Sequence, residues 1–156
     1  MLEKILLAVD ESDHARKAVP AVVELARAGG GTVHVLHVPE LVFATARVVD
    51  DSTEKAERLV DGVVEELKDA GVTAEGSVRT STAGPARVIL EQARDLDATL
   101  IVVGSRGLGA LGGLLLGSVA HKILHLASCP VLVVRDEQRL DERHHDGLRA
   151  QTRFQA

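Results

Sequence analysis

The stretch "VVGSRGLGALGGLLLGSVAHKIL", from Val102 to Leu124, begins as an aliphatic strand and ends as a helix. The connection between them is rich in glycine and carries a single charge, on Arg106. Loops usually lie in water and are polar. An uncharged, glycine-rich connection therefore indicates backbone that lies against something other than water.

Strands and helices alternate along the rest of the chain. Five segments rich in Val, Leu and Ile are typical of strands, at residues 4–9, 32–38, 73–80, 99–104 and 130–135. Helices are predicted between them, at residues 12–28, 52–70, 84–96 and 118–127. In the first of these, Pro20 is expected to remove a hydrogen bond and to kink the helix. The alternation predicts one doubly wound α/β domain with a Rossmann-like, five-stranded parallel sheet and helices on both faces.

The polarity of the strands predicts their order in the sheet. The third strand is the most polar, as an edge strand can be, whereas the first and fourth are nearly all aliphatic, as central parallel strands are. The order 3-2-1-4-5 satisfies both observations. It leaves Val131 to Val134 at the other edge, where an unprotected aliphatic strand invites pairing with another chain. We therefore expect a homodimer through strand five, with cover by the C-terminal tail as the alternative.

Length and composition indicate one globular domain. Of the 156 residues, 46% are hydrophobic and 26% charged, with a net charge of −5. The domain is expected to span residues 1–136, followed by a charged, flexible tail at 137–156. No basic excess points to nucleic acid or to an anionic membrane, and no apolar run reaches the ~18 residues of a membrane helix. A single cysteine, Cys129, and the lack of a signal sequence predict a cytoplasmic location.

The predicted topology indicates a ligand site at the carboxyl ends of strands one and four, because ligands of doubly wound sheets bind where the winding reverses. Asp10 directly follows strand one, and the glycine-rich connection follows strand four. Glycine lets backbone N–H groups approach an anion, and the start of a helix at Ser118 favours phosphate. Alone, Gly117 and Ser118 would be a helix start and Asp10 a turn residue. Together they indicate a phosphate-bearing ligand.

Other nucleotide-binding patterns do not fit. A dinucleotide fingerprint needs glycines after strand one, where the chain reads "VDESDH" at 9–14. A P-loop needs Gly-Lys-Ser or Gly-Lys-Thr, and neither occurs. A receiver domain needs an acceptor aspartate after strand three, where the chain reads "VRTSTAG" at 78–84.

The spacing Gly-x2-Gly-x9-Gly-Ser, followed by "VAHKILHLASCPVLVV" at 119–134, resembles the ATP-binding branch of the universal stress protein family. The resemblance covers nearly the whole domain, including "ILLAVDESDHARKAV" at 5–19 and "GPARVILEQARDLDATLIVVGSRG" at 84–107. It implies ATP as the ligand, often with a divalent metal, Mg²⁺ or Mn²⁺, at the phosphates, and it implies a dimer. Branches that do not bind ATP lose the glycines, which are intact here.

The resemblance also implies individual roles. The positions that match the phosphate and ribose loop are Gly104, Ser105, Arg106, Gly107, Gly117, Ser118 and Val119. Asp10 matches the acid at the adenosine end, and the apolar positions around adenine are matched by Ala8, Val38 and Val103. The loop between the glycines offers the phosphates no other cation than Arg106.

The residues favour binding over catalysis, because phosphoryl transfer needs a nucleophile-positioning group and strong cationic stabilisation. In the predicted site only Asp10 and Arg106 are candidates for these two roles. The preferred interpretation is an ATP-binding stress-response protein that acts as a nucleotide-dependent sensor or regulator through its dimer. The alternatives are a slow ATP hydrolase or phosphate- or nucleotide-transfer enzyme, and a nucleotide-independent dimeric adaptor.

His121 and His125 have a metal-binding spacing, but without a third ligand in the sequence they are interpreted as a polar helix face near the dimer interface.

Overall fold

The computed structural model describes residues 2–12, 16–39, 46–80, 82–105 and 116–135, and of residues 46–52 it describes the backbone alone. Strands and helices alternate throughout these ranges. The strands are β1 (Lys4–Val9), β2 (Thr32–His37), β3 (Ala74–Val78), β4 (Leu100–Gly104) and β5 (Val131–Val134). The helices are α1 (Ala18–Gly29), α2 (Ala46–Asp69), α3 (Pro85–Asp95) and α4 (Ser118–Leu126).

The five strands form one parallel sheet in the order β3-β2-β1-β4-β5, which confirms the predicted fold class and strand order. β1 is central, and its Ala8 lies between Leu36 of β2 and Val103 of β4. Because the strands are parallel, their carboxyl ends lie along one edge of the sheet. The winding reverses between β1 and β4, so this edge opens into a crevice there.

Helices cover both faces of the sheet. α1 and α2 pack on one face, where Leu7 of β1 is fully buried, and α3 and α4 pack on the other, where Leu6 is fully buried. Successive residues of a strand point to opposite faces, so a strand covered on both sides must be apolar throughout. This requirement explains the nearly unbroken aliphatic sequence of β1.

Of the helix predicted at 12–28, the structure describes α1 from Ala18 to Gly29 and a helical Arg16 before it, whereas residues 13–15 lie outside the described residues. Ser12 belongs instead to a turn in which the Asp10 carboxylate accepts its backbone N–H at 2.9 Å and also its hydroxyl. Pro20 is the third residue of α1 and follows the helical Arg16 by four residues, so the predicted loss of a hydrogen bond at Pro20 stays a prediction.

The other boundaries differ less. α2 begins at Ala46, six residues before the predicted start at 52, and the strand ends agree with the prediction to within two residues. The tail at 137–156 and the middle of the glycine-rich connection, 106–115, lie outside the described residues. No helix within the described ranges combines the length and the apolar character that a membrane span requires.

Candidate functional site

The candidate site lies at the carboxyl edge of the sheet, where β1 and β4 end. Asp10 directly follows β1 and is half-buried. Both of its hydrogen bonds to Ser12 use the same carboxylate oxygen, Oδ1. Among the described residues the second oxygen, Oδ2, has no hydrogen-bond partner. A carboxylate oxygen in this state can accept a hydrogen bond from a hydroxyl or amino group of a ligand.

A buried histidine supports the end of β1. His37 is 4% exposed, and its Nδ1 lies 2.8 Å from the carbonyl oxygen of Val9. Since a carbonyl oxygen only accepts, Nδ1 carries the hydrogen and donates it. The bond fixes the last residue of β1 against β2, and with it the position from which Asp10 projects.

The three apolar residues predicted around adenine share one face of the sheet. Val38 is 9% exposed and Val103 4% exposed, and both belong to the core beneath α3 and α4. Ala8 is half-buried and packs against the same core. The structure therefore brings Ala8, Val38 and Val103 together as a floor, of which Ala8 is the most accessible part.

A hydrogen bond joins the two ends of the glycine-rich connection. Ser105 is 4% exposed, and its N–H donates to the Val134 carbonyl oxygen at 2.8 Å. The carbonyl oxygen of Ser105 accepts the N–H of Gly117 at 2.7 Å. Ser105 and Gly117, at the two ends of the connection, thus meet beside half-buried Gly104 and the end of β5. The predicted site residues Arg106 and Gly107 lie outside the described residues.

The start of α4 has no side-chain cap. Its N-cap residue, Gly117, has φ −70° and ψ 156°, a conformation open to any residue, so the backbone does not require glycine there. The Gly117 carbonyl oxygen accepts the N–H of His121 at 2.9 Å. The N–H groups of Ser118, Val119 and Ala120 precede the first residue that finds an acceptor within the helix. Such N–H groups, with the positive end of the helix dipole, form a favourable site for an anion.

A groove of about 570 Å³ runs between α3 and α4 and begins at this helix start, with Ser118 and Val119 in its wall. Its cationic lining residues are Arg87, Arg94 and Lys122. None of the three is predicted as a site residue from the sequence. They are further cations in the groove that begins at Ser118, beside the predicted Arg106, which lies outside the described residues.

The cations of this groove differ in their partners. Arg87 is held by Glu91, with Nε 2.8 Å from Oε1. Lys122 has no ion pair among the described residues and lies four residues after Ser118, on the same side of α4. That i, i+4 spacing is the signal that would have identified Lys122 from the sequence. The α3 residues become neighbours of Ser118 only through tertiary packing.

Known proteins share the sequence and the fold. A sequence model of the universal stress protein family matches residues 1–135. The chain is 36% identical over 148 residues to universal stress protein YxiE of Bacillus subtilis, covering 86% of this chain and 100% of the relative. It is 38% identical over 138 residues to a universal stress protein of Thermus aquaticus, with the same coverage. The universal stress protein from Archaeoglobus fulgidus, solved in complex with dAMP, is 26% identical and has a TM-score of 0.69, covering 86% of this chain and 99% of that one.

Proposed function

Because the chain belongs to the universal stress protein family, we propose that it is a stress-response protein that binds ATP at the carboxyl edge of its sheet. The observation that carries this proposal is the 2.7 Å hydrogen bond from Gly117 to Ser105, which holds the uncapped start of α4 at the end of β4. The dAMP held by the Archaeoglobus fulgidus protein supports an adenine nucleotide as the class of ligand.

Each part of the nucleotide has a chemically suitable group in the proposed site. The base would lie over Ala8, with Val38 and Val103 beneath it. Asp10 Oδ2 would accept a hydrogen bond from the adenosine. The phosphates would be bound by the first N–H groups of α4, at Ser118 and Val119, because these groups point out of the helix end and attract anions.

The glycines and the nearby cations complete the phosphate site in this proposal. Gly104, Gly107 and Gly117 would let the phosphates approach the backbone without a Cβ between them. Lys122 supports the proposal as a cation on the same side of α4 as Ser118. Arg106 remains a proposed neighbour of the phosphates, in the loop that begins after Ser105.

We also propose a divalent ion, Mg²⁺ or Mn²⁺, with the phosphates. Hard cations prefer oxygen ligands, and Mg²⁺ commonly takes several of them from phosphates and water. Among the described residues no group of three or more His, Cys, Asp or Glu side chains could hold a metal ion. The exposed hydroxyl of Ser118 is a protein oxygen that fits, and it would share the ion with phosphate oxygens.

The proposed role of the nucleotide is regulatory. Rapid hydrolysis requires a group that orients the attacking water and strong cationic stabilisation of the transferring phosphoryl group. In the part of the chain that the structure describes, Asp10 already binds Ser12, and Lys122 supplies one unpaired cation beside Ser118. These residues support nucleotide binding with at most slow hydrolysis.

The edge strand β5 supports a homodimer whose formation would depend on the bound nucleotide. Its four residues, Val131–Val134, are half-buried, and β4 pairs with one side of it. Two consecutive hydrogen bonds connect this edge to the phosphate site, from Gly117 to Ser105 and from Ser105 to Val134. We propose that a nucleotide at Ser118 alters this connection and thereby the pairing of β5 with a second copy.

Calorimetric titration of the purified protein with ATP and GTP, each with Mg²⁺, tests the proposal. We expect one ATP to bind per chain. GTP is expected to bind at least about tenfold more weakly, a difference of about 1.4 kcal/mol in the free energy of binding. The chain contains no Trp and no Tyr, so a co-purified adenine nucleotide would be visible as a band at 260 nm. No heat with ATP and no such band would refute binding and favour the adaptor. Release of phosphate at several turnovers per second would favour the enzyme.

A further inference from the structure

Helix α4 carries two histidines, His121 and His125, on one exposed side. Their ring centres are 4.6 Å apart, and the ring planes meet at 63°. The other sides of the helix are occupied: Ala120 and Ile123 are buried in the core, whereas Val119, Lys122 and Leu126 line the groove toward α3. At about 100° per residue, the two histidines fall on the remaining side, where His125 borders the groove because it lies about 20° from Ser118 around the helix axis.

The distance between the rings suits two imidazoles that share one metal ion. A ring nitrogen binds Zn²⁺ at about 2.0–2.1 Å, which puts the ring centre roughly 3.2 Å from the ion. Two ligands at roughly 90–110° around the ion then have their ring centres about 4.5–5.2 Å apart. The observed 4.6 Å lies in this range. Since both side chains are exposed, rotation about their own bonds is enough to direct a nitrogen of each ring toward a common point.

The chemistry of the pair selects the class of ion. Imidazole nitrogen suits Zn²⁺, Ni²⁺ and Cu²⁺, whereas Mg²⁺ and Ca²⁺ prefer carboxylate, carbonyl and water oxygens. Helix α4 contains no Asp or Glu that would favour the second class. The neighbouring ammonium, Lys122, lines the groove toward α3.

We propose that His121 and His125 form a two-histidine site for a divalent transition metal ion. Histidines at i and i+4 on one helix face are an arrangement that binds zinc in enzymes. Among the described residues no third His, Cys, Asp or Glu joins the pair in a metal-binding group, so water completes the coordination. The ion keeps exchangeable positions in this arrangement, as zinc does where it is not fully enclosed by protein ligands.

This metal site does not depend on the proposed nucleotide site. Ser118 lies on the groove side of α4, and the ion proposed there is one that binds phosphate oxygens. Loss of the histidine site is therefore expected to leave ATP binding unchanged. Failure of either proposal can be recognised without the other.

Titration of the full chain with Zn²⁺ in a buffer that does not bind metal tests the proposal. We expect saturable binding to the wild-type chain, and His121→Ala and His125→Ala each to weaken it at least about tenfold, because each removes one of the two protein ligands. The matched control is His144→Ala combined with His145→Ala, which removes the adjacent histidines of the C-terminal tail and is expected to leave the α4 site intact.

Because His121 and His125 are exposed, their replacement does not disturb the core. A loss of Zn²⁺ binding can therefore be distinguished from a loss of folding. Loss of Zn²⁺ binding in the α4 variants, with unchanged thermal unfolding and retention in the tail control, supports the site. The proposal is overturned if the wild-type chain binds no Zn²⁺. It is equally overturned if the tail control loses binding while His121→Ala and His125→Ala retain it.

Discussion

The imidazole N–H of His37 donates to the carbonyl oxygen of Val9 across 2.8 Å, at the carboxyl ends of two adjacent strands. His37 is 4% exposed, so water does not replace this bond. Asp10 is the next residue after Val9 and begins the turn to α1. The hydrogen bond thus connects the packing of the sheet to the position of a proposed ligand-binding carboxylate.

Replacement His37→Phe tests this connection, because phenylalanine keeps a ring but donates no hydrogen bond. We expect a loss of about 1–3 kcal/mol in the free energy of unfolding, the usual cost of a buried group without its partner, together with weaker ATP binding. Urea unfolding and calorimetry measure the two effects. The control is His34→Phe: His34 bonds Glu75 and Ser77, away from the β1 and β4 ends, so ATP affinity should persist. Equal effects of both variants would argue against the connection.

The close approach of α2 to β3 predicts opposite effects of two glycine-to-alanine substitutions. A Cβ at Gly76 would overlap Val60 Cγ1 and lie 3.0 Å from Val64 Cγ2, whereas one at Gly62 meets nothing within 4 Å. We expect Gly76→Ala to destabilise the fold by about 1–3 kcal/mol through overpacking. Gly62→Ala, within α2, should stabilise it by about 0.5–1 kcal/mol. Thermal unfolding that moves both variants in the same direction would contradict this account of the packing.

The open edge of β5 predicts a variant that dissociates the proposed dimer without breaking the sheet. Ile101 and Ser105 donate to the carbonyl oxygens of Pro130 and Val134, so by the alternation of a parallel ladder the Val133 N–H points away from β4. Val133→Pro removes that outward donor, as proline does on edge strands. Sedimentation should then show a monomer with a cooperative thermal transition.

Leu132→Pro is the matched control for this experiment. The N–H of Leu132 points toward β4, so its loss should lower the thermal stability by more than Val133→Pro does. If Val133→Pro sediments as the wild-type chain does, β5 is not the dimer edge.

The single cysteine predicts how the fold changes thiol reactivity. Burial raises the pKa of the Cys129 thiol. Because the thiolate is the reactive form, a raised pKa lowers the reactive fraction at any pH below it. Alkylation by iodoacetamide at pH 8 should therefore be several-fold slower in the folded than in the denatured chain, with the folded rate rising toward higher pH. A folded thiol that reacts as fast as the denatured one would contradict this prediction.

The sequence predicts much of the fold because strands that are buried on both faces consist almost entirely of aliphatic residues. β1 and β4 are nearly all aliphatic, since central parallel strands contact helices on both sides, and their positions in the sheet follow from that. The turn at Ser12, a residue predicted to be helical, does not follow, because side-chain hydrogen bonds between Asp10 and Ser12 compete with helix formation there. Local competition of this kind is not visible in hydrophobic periodicity.

The candidate site, like the fold, is predicted from the sequence only in part. Gly117 and Ser118 are predicted from their spacing along the chain, and the structure places them at the end of β4. The presence of Arg87 in the same groove as Ser118 depends on how α3 packs beside α4, which no local pattern encodes. The backbone angles of Gly117, with φ at −70°, are open to any residue, so they give no separate reason for glycine at this position.

The most direct test of the proposed site is an NMR titration of Mg²⁺-ATP into the wild-type chain and Gly117→Val, following the backbone amides. Valine is compatible with the extended conformation of Gly117, so the variant should fold, but its side chain would stand beside the first N–H groups of α4. We predict that ATP shifts the amides of Ser118, Val119 and Asp10 in the wild-type chain and none of them in the variant. Equal shifts in both proteins, or wild-type shifts confined to residues away from these three, would contradict it.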